Sequence, residues 1–261
     1  WCHRSRLAGF PGLCRLHRAE VLSVRGDLCS AEREVTEAAE LLSESAPWAE
    51  GDAYRVLGEI YLARGDLEDA EAAFRRAYSL GWDPQPGQAL LLLARGDAEG
   101  AVRALERSLE DPRWVNGQRR GILLAHLAVA AAVAGHRERV NVALRELEQC
   151  PELCDTPAFA AITARARAEA ALRDRAEQDA LAALRESLEH WRRARAPLDA
   201  ANTRIRIVEV LAASGDTEGA DLELHAAESA FRSAGAQAAI RRCAELRREL
   251  PRNQSLARGW S

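Results

Sequence analysis

The tripeptide Arg-Gly-Asp recurs at Arg25-Gly26-Asp27, Arg64-Gly65-Asp66 and Arg95-Gly96-Asp97, with weaker copies at Ala134-Gly135-His136 and Ser214-Gly215-Asp216. Glycine ends a helix in the left-handed conformation and aspartate caps the next one, so each copy reads as a turn between two helices. The glycines of the first four copies fall 39, 31 and 39 residues apart, and a further unit turning at Arg175 fits between Gly135 and Gly215. A step of this length predicts a stack of helical hairpins sharing one continuous core. Such a stack is a surface for holding something and brings no chemistry of its own.

Composition agrees with helices. The chain is 48% hydrophobic, mostly Ala and Leu, and only 5% aromatic, which favours helix over sheet. All 36 basic residues are arginine, so a P-loop lysine, a Schiff-base lysine and a kinase-type lysine are all excluded. No Gly-x-Ser-x-Gly elbow, His-Glu-x-x-His zinc helix or Gly-x-Gly-x-x-Gly loop occurs, and neither catalysis nor a cofactor is expected. The net charge of −4 disfavours direct nucleic-acid binding, which needs a concentrated positive face; Arg119-Arg120, Arg192-Arg193 and Arg241-Arg242 are isolated pairs flanked by acids. The longest apolar stretch, from Gly121 to Ala134, is broken by His126 and is too short to span a bilayer. No association with a membrane is expected.

Six dispersed cysteines are too few for a disulfide framework and favour a cytoplasmic, reduced protein. Cys2, His3, Cys14 and His17 could be drawn as a zinc cluster, and Cys150 and Cys154 as a pair, but neither has a tight Cys-x-x-Cys knuckle and no metal is expected. The chain opens on Trp1 without a secretory signal, and the expectation is a piece of something longer.

The clearest unit runs from Gly51 to Pro84 and carries Tyr54, Leu57, Gly58, Tyr61, Gly65, Ala70, Phe74 and Ala77. This large-small-large series resembles the tetratricopeptide repeat at every one of those places. Gly58 and Ala70 are expected where two antiparallel helices cross closely, with Tyr61 and Phe74 filling the space around the crossing. Gly26, Gly96, Gly135 and Gly215 mark the turns of other units, and Ala101 and Ala220 their small positions. The resemblance implies an all-α, right-handed superhelical solenoid of about six hairpins over residues 1–250, with a flexible tail over 251–261. A last helix from about Gln237 to Leu250 would close the stack.

The strings GFPGLCRLHRAEVLSVRGD and YRVLGEIYLARGDLEDAEAAFRRAYSLGWDPQPGQALLLLARGD resemble the helical-repeat region of large actinobacterial LuxR-type transcriptional regulators. The likeness continues through APLDAANTRIRIVEVLAASGD and LELHAAESAFRSAGA. The connector Asp83-Pro84-Gln85-Pro86-Gly87 adds to it, because repeat packing alone does not demand that sequence. In that family a DNA-binding helix-turn-helix module follows the repeats. Only eleven residues follow Leu250 here, so the implied role is sensing or relay within a regulator rather than reading DNA.

In tetratricopeptide arrays the first helix of each hairpin lines a concave groove. The resemblance puts Glu20, Glu59, Glu169 and Glu209 at one groove-facing place, an acidic ladder suited to a basic peptide. Arg55 and Arg165 stand four residues before Glu59 and Glu169, where ordinary intrahelical pairs account for half the ladder. Glu20 and Glu209 have no arginine four residues earlier. Leu90, Leu93, Ala125 and Val129 form an apolar middle, suited either to an amphipathic partner helix or to burial between neighbouring hairpins. Trp82 and Trp114 stand in connectors, as lids or as contact points. The expected function is a non-catalytic scaffold for a protein or peptide, basic or amphipathic; a stand-alone adaptor or self-associating module, with homo-oligomers, is the alternative.

Overall fold

The computed structural model describes residues 10–111, 117–149 and 156–250, and among these it holds thirteen α-helices and no strand. The helices are α1 (Phe10–Val24), α2 (Leu28–Ser45), α3 (Pro47–Arg64), α4 (Leu67–Ser79), α5 (Gly87–Ala94), α6 (Ala98–Glu110) and α7 (Gly117–Ala134). They continue as α8 (Arg137–Glu148), α9 (Pro157–Arg173), α10 (Glu177–Ala194), α11 (Pro197–Ala213), α12 (Thr217–Ala234) and α13 (Gln237–Glu249). Cys2, His3, Trp114, Cys150, Cys154 and the tail over 251–261 lie outside the described residues.

Successive helices pack on one another along the chain, and α1 with α3, α3 with α5, and α7 with α9 touch as well. Gly26, Gly65, Gly96, Gly135 and Gly215 all turn with positive φ, and Arg175 takes the same conformation at φ 59°. Asp27, Asp97 and Asp216 accept a hydrogen bond from the backbone N–H three residues on, at 3.1, 2.8 and 2.9 Å. Asp66 departs from this pattern. It stands at the N-cap of α4 without a side-chain cap bond, and its carboxylate lies 3.7 Å from Arg64 Nε.

Phe74 and Phe231 are the largest fully buried side chains among the described residues, and two glycines make room for Phe74. A Cβ on Gly58 would stand 2.5 Å from Phe74 Cε1, and one on Gly87 would stand 2.6 Å from Cζ. The ring is therefore held between α3 and α5, with Ala70 and Leu91 buried beside it and Tyr61 half-buried against the same cluster. Ala101 and Ala220 are fully buried at the corresponding places. Ala125 and Val129 are buried too, in a cluster shared by α7, α8 and α9, while Leu93 packs against the α5–α8 cluster and Leu90 is half-buried. Burial between hairpins thus accounts for most of the apolar middle.

The first and last of the described helices share one core. One apolar cluster takes buried residues from α1, α2 and α3 together with residues from α9 to α13, and α13 touches α3. At Gly65, where φ is +92°, an added Cβ would stand 2.2 Å from Ala238 Cβ. At Gly26 the neighbours are Pro197 at 3.3 Å, Ala234 at 3.7 Å and Leu198 at 3.9 Å. The last helix expected from about Gln237 to Leu250 is present as α13. It packs back against α3, with Ala238 at the Gly65 turn.

Candidate functional site

The odd-numbered helices carry the polar stripe that the sequence singled out. On α3, Asp52, Arg55 and Glu59 recur at helical spacing and are half-buried. The same holds on α11 for Asp199, Arg206 and Glu209. Apolar residues on the other faces of these helices hold the backbones fixed, so the charged heads are positioned by the core beneath them.

At the α1–α3 end, one arginine serves three acids. Arg55 donates from Nε to Asp52 at 2.6 Å, from Nη1 to Glu59 at 2.9 Å and from Nη2 to Glu20 at 2.7 Å. The second Glu20 oxygen lies 2.9 Å from His17 Nδ1. Burial disfavours the Arg55 charge, but Glu59, Asp52 and Glu20 outweigh it and raise the arginine's pKa. Burial would raise Glu20 as well; its bonds to His17 and Arg55 reverse that and hold the carboxyl below its ordinary value. Glu59 goes the other way. Burial, reinforced by the neighbouring charges of Glu20 and Asp52, pushes it up in spite of Arg55, although 35% of its side chain is reached by water. Protein atoms crowd a carboxyl that solvent still touches.

At the other end, Arg165, Arg206 and Arg242 meet Glu169, Glu209, Glu245 and Glu249. Glu169, its side chain 5% exposed, receives a bidentate pair from Arg206 at 2.8 and 2.7 Å and a bond from Arg165 at 2.6 Å. Burial would raise its pKa, but the Arg206 bonds and the two guanidinium charges hold it down at about 2. Arg206 also bonds Glu209 at 2.5 Å, and Arg242 on α13 approaches Glu209 at 3.5 Å and Glu245 at 3.6 Å. The ladder is therefore a chain of ion pairs running between hairpins. Glu20 and Glu209, which have no arginine four residues earlier, are paired through Arg55, Arg206 and Arg242. Arg206 and Arg242 escape a search for intrahelical i,i+4 pairs; the Glu209-minus-three spacing of Arg206 was the available signal.

Between the two ends, His126 on α7 donates from Nδ1 to the Ile122 carbonyl at 2.8 Å, and burial keeps its pKa low. Asp199, on the same stripe as Arg206, is pushed up to about 6 by burial, which outweighs its own backbone hydrogen bond. The connector before α5 is packed rather than free. Asp83 accepts from Ser108 and from Arg119, the latter at 2.9 Å, and the buried Gln85 accepts from the Ala89 N–H at 3.1 Å. Of the arginine doublets, Arg120 bonds Glu146 at 2.6 Å and Arg242 joins the network above. Among the described residues no group of three or more His, Cys, Asp or Glu could hold a metal ion, and no helix is long and apolar enough to cross a membrane. No protein-family model matches this chain, and no curated protein matches it.

Proposed function

We propose that this chain is a tetratricopeptide-like, right-handed repeat scaffold that holds a basic protein segment on its inner face, without catalysis and without a cofactor. The observation that carries this is the α1–α3 cluster, where Glu20, Asp52 and Glu59 surround the single guanidinium of Arg55. Three carboxyls around one cation repel one another, and a second cation from a partner relieves that repulsion. At the α9–α13 end three arginines meet four glutamates, an excess of one carboxylate against two around Arg55. Recurrent positive-φ turns and small residues at hairpin crossings support the repeat reading. The quoted strings support a sensory or relay role in a cytoplasmic LuxR-like transcriptional regulator, and the internal pairing of Arg119, Arg120 and Arg242 supports leaving DNA to another module.

A fluorescent arginine-rich peptide should bind the protein at low salt, and a glutamate-rich peptide of equal length should not. Binding should weaken as salt rises through the range where the Debye length falls below about 10 Å. Glu20→Gln/Glu59→Gln leaves Arg55 with Asp52 alone and should weaken the arginine peptide about tenfold or more, with helicity unchanged by circular dichroism. Binding that ignores the double substitution, or equal binding of both peptides, contradicts the proposal.

A further inference from the structure

A cavity of about 440 Å³ opens where the first hairpin meets the α10–α11 connector, a size suited to a small molecule. Three arginines line it: Arg25 from the α1–α2 turn, Arg192 from the last turn of α10, and Arg195 from the connector. Its apolar wall is made by Trp191, Pro197 and Ala200, and no carboxylate lines it. Among the described residues Arg25 and Arg195 form no ion pair, and Arg192 reaches only Glu189, at 3.8 Å within its own helix. This differs from the inner face, where each arginine has a carboxylate against it.

Three arginine residues around one cavity with no acidic residue in its lining favour an anion there. Arginine presents a planar fork to phosphate, sulfonate or carboxylate oxygens, and the indole beside it offers a flat apolar surface. We propose that this seam cavity binds an anionic small molecule that carries a flat apolar group, the anion held by Arg25, Arg192 and Arg195 and the ring against Trp191 and Pro197. Arg25 comes from the α1–α2 turn and the remaining residues from α10, α11 and their connector. The ligand therefore also bridges segments far apart in sequence, and its binding stabilises the folded chain. The site is separate from the acidic cluster of α1 and α3 and stands or falls independently of it.

The probe is anilinonaphthalene sulfonate, a fused ring bearing one anion, with uncharged phenylnaphthylamine as its companion. Calorimetry on the full chain should give one saturable sulfonate site per molecule and a rise in melting temperature with probe concentration. Arg25→Gln/Arg195→Gln changes two exposed side chains and should weaken the sulfonate about tenfold or more, whereas Arg103→Gln, on the exposed face of α6, should leave it unchanged. The uncharged companion should bind more weakly than the sulfonate and ignore the arginine substitutions. Inorganic phosphate should compete, but only at far higher concentration, because it lacks the ring. The proposal is overturned by any of three results: no saturable sulfonate binding, binding that survives the double substitution, or equal affinity for the uncharged companion.

Discussion

Phe74→Ala is expected to cost about 3–5 kcal/mol, the range for emptying a fully buried aromatic site. The ring is 1% exposed and is gripped by backbone on both sides, since Gly58 and Gly87 have no Cβ to retreat. The walls of the resulting void are therefore helix backbone, which collapses poorly. The reverse change is equally informative. Gly58→Ala improves helix propensity by about 1 kcal/mol, yet its methyl would stand 2.5 Å from Phe74 Cε1, and overpacking of about 1–3 kcal/mol should win. Combining the two substitutions should cost less than their sum, because the added methyl then meets an empty site. Urea denaturation followed through Trp82, which lies against Gly51 at the base of the same hairpin, reads all three variants. Indifference to Phe74→Ala would contradict the hairpin crossing.

Glu169→Gln is expected to cost about 2–4 kcal/mol at neutral pH, somewhat below a fully buried pair because Arg165 and Arg206 are about a quarter exposed. The amide keeps the shape but leaves two guanidiniums facing a neutral group. The pH dependence has a definite sign. The folded-state pKa of Glu169 lies at about 2, below the ordinary 4.5, so its contribution is fully present above about pH 4.5. That contribution, about 2–3 kcal/mol, is lost as pH falls through the window from about 4.5 towards 2. Wild type should therefore lose stability across that window more steeply than Glu169→Gln, by equilibrium denaturation at each pH. Parallel curves would contradict the bidentate pair.

The helices and turns were legible because Gly and Asp punctuate them at each repeat, and even Arg175 could be placed at a turn from the spacing of its neighbours. The capping role of Asp66 was misread, since sequence does not show Arg64 drawing that carboxylate away. Arg55–Glu59 and Arg165–Glu169 could be read from i,i+4 spacing. The bonds from Arg55 to Glu20 and from Arg206 to Glu169 cross 35 and 37 residues of sequence; their formation depends on how distant helices pack on one another, and no local pattern encodes that. The same long-range packing covers Val129 and brings α13 against α3. Gly65 was legible as a turn glycine, but its second task, admitting Ala238 from the far end, was not.

The packing of the first helices against the last is the central feature of this fold, and the proposed cavity depends on it directly. Ala238→Trp places a wedge in that seam while α13 keeps a residue compatible with helix. Amide hydrogen exchange by mass spectrometry then reports where protection is lost. In a closed stack, exchange should accelerate about tenfold or more around Gly65 and the adjoining ends of α3 and α4 as well as in α13, while α7 and α8 exchange as in wild type. An acceleration confined to α12 and α13, fading with distance along the chain as in an open array, would contradict it.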